Sequence, residues 1–594
     1  MAGHARRAVA VAATMVGLTM VAATTASASD GSGRGDGRDD DRGKDHETVD
    51  LQLLTFNDFH GYLQPPTGGD ATLGAALDPT NTLVGGSEYL ATTLNNLRAG
   101  HRHSLTATAG DLIGGSPFLS GLFHDEPSVE SLEAMHLDVS SVGNHEFDEG
   151  LTELLRMQHG GCHPVDGCYF PDQPYDGANF PWLAANVVHT DTGKTVLPST
   201  WVKKVGDVKV GFIGMTLEGT PELVAQNGIV GLTFQDEVAA ANRAVKELKR
   251  KDVKAIVVLI HEGGLNTGTF DGCAGVSGPI VQIAQNLDPA IDFIASGHTH
   301  QPYVCTIPDP KGNPRMVTSA SSFSRVVTES ILPIDEETGD VVRSKVTSTN
   351  HLVVRTVAPD PAETAIIAKW TAKSAPLANR VVGSVTTDIR RSPNRNTESS
   401  LGNLIADAQL EATAGAANAN AQIALMNPGG VRGDITFAPD PLIPTDGPGL
   451  VTYGEAFTIQ PFGNILVTVD MTGAQLKAVL EQQFVPNRSR PVLTLGISNG
   501  LTFDWDTPNV LDPTDTATGN RVSNLSLNGV AVDPAASYKV TVNNFLVDGG
   551  DGFTVFLQGQ NRKGGGDDLV AFANYLGAHA PVAPPPTDRI NELP

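Results

Sequence analysis

Five short segments in the first half of this 594-residue chain each place metal-ligand side chains directly after an apolar, β-branched run. Asp58-Phe59-His60 follows Asp50–Thr55, Gly110-Asp111 follows Ser104–Ala109, and Gly143-Asn144-His145-Glu146 follows a run near Asp138–Val142. His261-Glu262 closes Ala255–Ile260, and Gly297-His298-Thr299-His300 comes just after Ile291–Ala295. Each fragment alone is weak: an isolated Asp-x-His is an ordinary loop pair, and Asn144-His145 reads equally well as a turn held by its own side chains. Their joint occurrence is what constrains the fold. Ligands of open α/β sheets bind beyond the carboxyl ends of the strands, so stacking these runs as parallel strands gathers all five segments at one place. Residues two apart on an extended chain face one side, which lets Asp58 and His60 share an ion. The donors are nitrogen and oxygen without thiolate, a set suited to two divalent ions such as Mn, Zn, Co or Fe.

The runs alternate with helical stretches such as Gln235–Lys251, so residues 49–357 are expected to form an α/β layered domain. Pro361 precedes a helix-forming run to Trp370, with proline in the first turn. Residues 358–379 therefore read as a linker helix, with rotation of the two halves expected near Lys369–Arg380. The remainder, 380–594, carries helical patterns at Leu401–Ala414 and Ala474–Phe484 and strands at Ile465–Asp470 and Tyr538–Val542. That mixture predicts an α+β domain.

Arg6 and Arg7 precede an apolar stretch, Val9–Ala23, and the small-residue triplet Ala26-Ser27-Ala28. Residues 1–28 thus read as a signal peptide, and the charged, apolar-poor tract over 29–48 as a disordered leader. The expected location is extracellular or in the cell envelope, and no other run is apolar enough for a transmembrane segment. Four cysteines allow three pairings; proximity favours Cys162–Cys168 and Cys273–Cys305. The net charge of −26 weighs against a nucleic acid polymer as partner. A small anionic substrate remains compatible, because metal ions and arginines reverse the field locally. The oligomeric state is not legible.

The blocks Asp58-x-His60, Gly110-Asp111, Gly143-Asn144-His145-Glu146 and Gly297-His298-Thr299-His300 resemble the signatures of calcineurin-like metallophosphoesterases. Asn427-Pro428-Gly429-Gly430-Val431-Arg432, Gln460-Pro461-Phe462-Gly463-Asn464 and Asn544-Phe545 through Asp551-Gly552-Phe553 are similar to the substrate domain of the 5′-nucleotidase family, which includes bacterial UDP-sugar hydrolases. The resemblance covers nearly everything from Val49 onward. It implies a four-layered αββα metallophosphoesterase domain joined by the linker helix to a substrate-binding domain.

Carried over, the family pattern implies that Asp58, His60, Asp111 and His300 hold one ion, and that Asp111 bridges to a second completed by Asn144, His261 and His298. Some members carry Gln or Asn where this chain has His300. His145 resembles the catalytic histidine that stabilises developing charge, with Asp148 orienting it; the alternative is that Asp148 caps the helix beginning near Glu149. Arg395 and Arg432 match phosphate-binding positions, Phe462 and Phe545 an aromatic pair around the base, and Asn427, Gly429 and Asp551 the contacts to base and ribose. The resemblance implies hydrolysis of nucleoside 5′-monophosphates, and of UDP-sugars or other nucleotides, by metal-activated water. The alternatives on this scaffold are a 2′,3′-cyclic-nucleotide phosphodiesterase/3′-nucleotidase, a thiosulfohydrolase, and a non-catalytic nucleotide-binding surface protein. The aromatic pair favours a nucleoside over thiosulfate.

Overall fold

The computed structural model describes residues 47–594 apart from 225, 416–417, 440–445, 487, 489, 509–518 and 594. The expected signal peptide and all but the last two residues of the expected leader lie outside the described residues.

The ligand-bearing runs form the parallel cores of two sheets. Thr48–Phe56 pairs in parallel with Ser104–Ala109, which pairs in parallel with Val139–Ser141. In the second sheet Val208–Thr216, Ala255–His261 and Phe293–Ser296 are joined the same way. A fourth parallel strand in each, Trp182–Leu183 and Met316–Ser319, and antiparallel strands bring both sheets to six: Val326–Asp335 lies along Thr48–Phe56, with Thr48 opposite Asp335, and Thr200–Val205 flanks Val208–Thr216. These antiparallel partners depart from the strand–helix alternation read from the sequence.

Side chains alternate across a strand, and here both faces are buried. Leu51, Leu53, Leu105 and Ala107 of the first sheet pack with Val210, Phe212, Val257 and Leu259 of the second in one apolar layer. Leu54 and Phe56 turn the other way, onto Leu90, Leu94, Val129 and Leu132 of helices Ser87–Arg98 and Glu126–Ala134. Ile256, Val258 and Ile260 pack on Ala241, Val245 and Leu248 of helix Glu237–Arg250. The result is the αββα order, and double burial is why these strands read as unbroken apolar runs. Helix Glu237–Arg250 lies within the expected Gln235–Lys251, and its start is set by Asp236, which caps it by accepting from the Ala239 amide at 2.7 Å.

The second half is α+β. Strand Ile465–Thr472 lies antiparallel to both Ser537–Asn543 and Gln560–Asp567, and Ile423–Met426 pairs in parallel with Ser537–Asn543. Helices Ser400–Ala414 and Gly473–Glu481 pack on separate apolar clusters. Each begins on a side-chain cap, Ser399 for the first and a Thr472–Gln475 capping box for the second. Both disulfides take the pairing that proximity favoured, Cys162–Cys168 and Cys273–Cys305. Among the described residues no helix is long and apolar enough to cross a membrane.

Helix Pro361–Ala378 joins the halves and is fastened to the first of them. The Trp370 indole donates to Glu130 at 2.7 Å, and the ring packs on Phe123 and Phe170 with centroids 4.8 and 5.0 Å away. Lys369 also bonds Glu130, at 2.8 Å. Two turns earlier, Ser131 donates to the fully buried Glu363 carboxyl at 2.7 Å.

Burial pushes the Glu363 carboxyl from 4.5 up to about 7. Its folded pKa exceeds the unfolded one, so the native state binds the extra proton between those values and loses stability as pH rises through that window. Glu363→Gln removes this dependence: near pH 4 variant and wild type should be equally stable, and at pH 8 the variant should gain on the order of 3 kcal/mol. Urea unfolding at the two pH values measures it, and a pH-independent difference would refute the assignment.

Candidate functional site

The carboxyl ends of both parallel cores meet, and the loops leaving them are locked to one another by backbone bonds. The Asp58 amide donates to Gly110 O at 3.1 Å and the His60 amide to Asp111 O at 3.0 Å. Asp58, His60, Asp111, His298 and His300 all adopt positive φ, at 51°, 47°, 52°, 70° and 59°. Left-handed backbone is unfavourable for residues with a side chain, and such strain concentrates where surrounding structure enforces it for function. Gly110 makes the approach feasible: a Cβ there would sit 2.5 Å from the Gly143 nitrogen and 2.9 Å from His261 Nδ1.

Asp111 occupies the centre. Its Oδ2 lies 2.8 Å from His261 Nε2 and 3.5 Å from His60 Nε2, and its Oδ1 accepts the His145 amide at 2.9 Å. On one side Asp58 Oδ1 is 3.1 Å from His300 Nε2 and 3.9 Å from His60 Nε2. On the other, His298 Nδ1 is 3.1 Å from Asn144 Oδ1. All seven expected ligand residues are therefore together, in two groups, Asp58, His60 and His300, and Asp111, His261 and His298 with Asn144 alongside, which His60 and Asp111 link together with His145.

Neighbouring groups fix which atoms face inward. His60 Nδ1 donates to Gly114 O at 2.8 Å and His261 Nδ1 to Ala109 O at 2.7 Å, which leaves each Nε2 as a lone pair. Asp58 Oδ2 accepts from Asn57 at 2.6 Å and from the His298 amide at 3.0 Å, freeing Oδ1. Asp58 Oδ1 and the Nε2 atoms of His60 and His298 are buried without a hydrogen-bond partner, and His261 Nε2 meets only Asp111 Oδ2. Buried polar atoms are ordinarily paired, so these converging groups fit divalent cations. Burial holds His60, His298 and His300 well below the ordinary imidazole value, in the neutral form that ligates metal. Burial also pulls His261 down, but the carboxylates of Asp111 and Asp58 outweigh it and push it up to about 10; a cation replaces such a proton.

His145 stands beside this cluster, with its Nδ1 donating to Asp148 Oδ2 at 2.7 Å. The next helix, Gly150–His159, has no side-chain cap, so Asp148 orients His145 rather than capping. Burial disfavours the imidazolium, yet Asp148 and Asp111 together hold His145 above its ordinary value. Its ring stacks on Phe462 from the second half, with centroids 5.8 Å apart.

That stack closes one wall of a cleft of about 750 Å3, within the roughly 300–1,000 Å3 typical of ligand sites. Asp111, Asn144, His145, Asp148, His298 and His300 line it from the first half. Arg395, Asn427, Gly429, Arg432, Phe462, Phe545 and Asp551 line it from the second. Asp58, His60 and His261 are fully buried beside Asp111 and do not line it. Asn427 donates to Asp551 at 3.0 Å and accepts from Asn543 at 2.9 Å, which sets its amide. The Arg432 guanidinium lies over Phe462, 5.7 Å from its centroid, and its Nη2 is buried without a hydrogen-bond partner.

Three contributors were not singled out in the sequence. Arg490 joins Arg395 and Arg432 in the cleft, and donates to Thr299 O of the other half at 3.3 Å. Burial, with these neighbouring guanidiniums, holds Arg395 well below its ordinary value. Asn543 positions Asn427. Glu146, present in the third block but given no role, accepts from the amides of Asp111 (3.0 Å), Leu112 (2.8 Å) and Gly143. Acidity next to Asn144-His145 was the available signal for Glu146; a loop arginine such as Arg490 offers none.

Residues 51–302 match the family model for calcineurin-like phosphoesterases, and 381–558 that for the 5′-nucleotidase C-terminal domain. The chain is 33% identical over 563 residues to a cell wall protein of Listeria monocytogenes, covering 89% of this chain and 67% of that one. It is 32% identical over 532 residues to an endonuclease of Bacillus subtilis, covering 89% of this chain but only 40% of the relative's length. The crystal structure of a 5′-nucleotidase precursor from Thermus thermophilus superposes with a TM-score of 0.74 at 26% identity, over 92% of this chain and 99% of that one.

Glu146→Gln replaces one acceptor oxygen with a donor facing buried amides. Outer partners of this kind typically change metal affinity about 10–100-fold, so the variant should bind Mn2+ that much more weakly in calorimetric titration. Unaltered affinity would remove Glu146 from the site.

Proposed function

The chain belongs to the 5′-nucleotidase family of calcineurin-like phosphoesterases and is a metal-dependent hydrolase; on that premise we propose that it converts nucleoside 5′-monophosphates to nucleoside and phosphate outside the cell, with UDP-sugars as a further substrate class. The observation that carries this reading is the continuity of the cleft. Carboxylates and imidazoles suited to two ions form one wall, and Arg395, Arg432 and Arg490 with Phe462 and Phe545 stand on the other.

Asp58, His60, Asp111 and His300 would hold one ion; Asp111, Asn144, His261 and His298 would hold the other. When bound, two such ions supply Lewis acidity to the phosphate and make water a competent nucleophile at neutral pH. Guanidinium forks of Arg395 and Arg432 grip phosphate oxygens, with Arg490 adding positive field beside them. The imidazolium of His145, held charged and aimed by Asp148, stabilises the negative charge that develops during displacement. Phe462 and Phe545 stack the base, which suits any nucleobase, while Asn427, Gly429 and Asp551 contact base and ribose.

Export is supported by the residue pattern before Ser29 and by two disulfides, which persist in oxidising compartments. The cell wall name of the Listeria relative is consistent with it. The name endonuclease belongs to a relative of which this chain spans 40%, and the charge of −26 weighs against polymer binding.

Phosphate release from AMP, UDP-glucose, 2′,3′-cyclic AMP and single-stranded DNA, with EDTA and then with added Mn2+, separates the readings. AMP should yield phosphate, EDTA should abolish it and Mn2+ restore it. Release from cyclic AMP alone would favour the phosphodiesterase, and release from no nucleotide would defeat the proposal. His145→Ala should lower kcat by about 10²–10⁴ with metal content unchanged; full turnover in that variant would sink the role of His145.

A further inference from the structure

The loop between strands Met316–Ser319 and Val326–Asp335 carries none of the ligands and does not line the cleft, yet it is buried throughout and strained. Ser321, Phe323 and Ser324 take φ 63°, 58° and 60°. Left-handed backbone is an outlier for a side chain as bulky as phenylalanine. Three such residues within four positions persist only where the surroundings over-determine them, and strain of this kind gathers at functional sites.

The contacts that enforce it lead to the metal cluster. The Asn57 carboxamide accepts from the Ala320 amide at 2.8 Å and donates to Ser321 O and to Asp58 Oδ2, each at 2.6 Å. The Phe323 amide donates to Asp58 O at 2.8 Å. Arg325 bonds back to Ser322, at its carbonyl (3.0 Å) and its hydroxyl (2.6 Å). Loop and ligand strand thus share one set of hydrogen bonds, and what they place is the Phe323 ring. Its centroid is 5.1 Å from His300 and 5.8 Å from His60, with interplanar angles of 80° and 62°, the edge-to-face geometry that aromatic rings favour. Tyr62 stacks on the same ring at 4.1 Å. Among the described residues, its ring contacts include neither His261 nor His298.

A ligating histidine is commonly oriented by a hydrogen bond from its other ring nitrogen. His60 and His261 have one, to Gly114 O and Ala109 O. His300 meets Asp58 through Nε2 and makes no such outer bond among the described residues, so ring packing is left to orient it. We propose that Phe323 is a positioning residue for the Asp58–His60–His300 ion, its ring pressed on His300 by the strained loop in place of an outer hydrogen bond. The ion at Asn144, His261 and His298 is independent of it. This inference rests on the two-ion reading above.

The full-length protein, stripped of metal, is titrated with Mn2+ by calorimetry, and low-temperature EPR distinguishes an exchange-coupled manganese pair from an isolated ion. Wild type should bind two equivalents and give the coupled spectrum. In Phe323→Leu one equivalent should weaken about 10–100-fold, as loss of an outer partner typically does, while the other keeps its affinity and shows the isolated-ion signal. Phe323→Met, closer in volume, should behave alike, since neither side chain offers a ring. Phe503→Leu changes a likewise buried phenylalanine of the second half and should match wild type. Two equivalents at wild-type affinity in the Phe323 variants, or the same weakening in Phe503→Leu, overturns the assignment. Fewer than two equivalents in wild type overturns the two-ion reading itself, and this inference with it.

Discussion

The Asp111 carboxylate is reached from both sheets at once, and the catalytic half is organised around that single requirement. His60 leaves a strand of the first sheet, while His261 ends a strand of the second; their ring nitrogens stand 3.5 and 2.8 Å from one oxygen. Such closeness tolerates no slip in how the sheets stack. The apolar layer of Leu51, Leu53, Phe212, Val257 and Leu259 sets that stacking, and close-packed interiors resist shifts of even a methylene. Packing far from the site thus governs ligand geometry within it. The left-handed backbone at five of the seven ligand residues is held by the same enclosure.

Charge is partitioned as deliberately as geometry. The chain carries −26 overall, yet Arg395, Arg432 and Arg490 converge in one cleft opposite a cluster built for cations. Burial makes each guanidinium costly without an anion, so the cleft favours a ligand that brings several negative oxygens. The linker helix is anchored to the first half through Trp370 and Glu363. Phe462 over His145 shows the halves engaged.

The strands were legible because parallel, doubly buried strands leave uninterrupted apolar runs, and the seven candidate ligand residues because ligand types cluster after those runs; the αββα layering came from the family resemblance. What escaped has physical reasons. The antiparallel strand Val326–Asp335 carries no ligand after it, so it lacked the mark by which the others were found. Strand ends shifted by a few residues: His261 belongs to its strand, and Phe293 rather than Ile291 begins the last. Arg490, Asn543 and Glu146 act through contacts made only in three dimensions.

Anomalous scattering from crystals grown with Mn2+ and a non-hydrolysable AMP analogue addresses the central claim directly. Two manganese peaks roughly 3.5–4 Å apart, both within ligand distance of Asp111, are expected, with the phosphate reaching Arg395 and Arg432 and the base between Phe462 and Phe545. A single ion at this cluster, or a nucleotide seated away from the two phenylalanines, would contradict it.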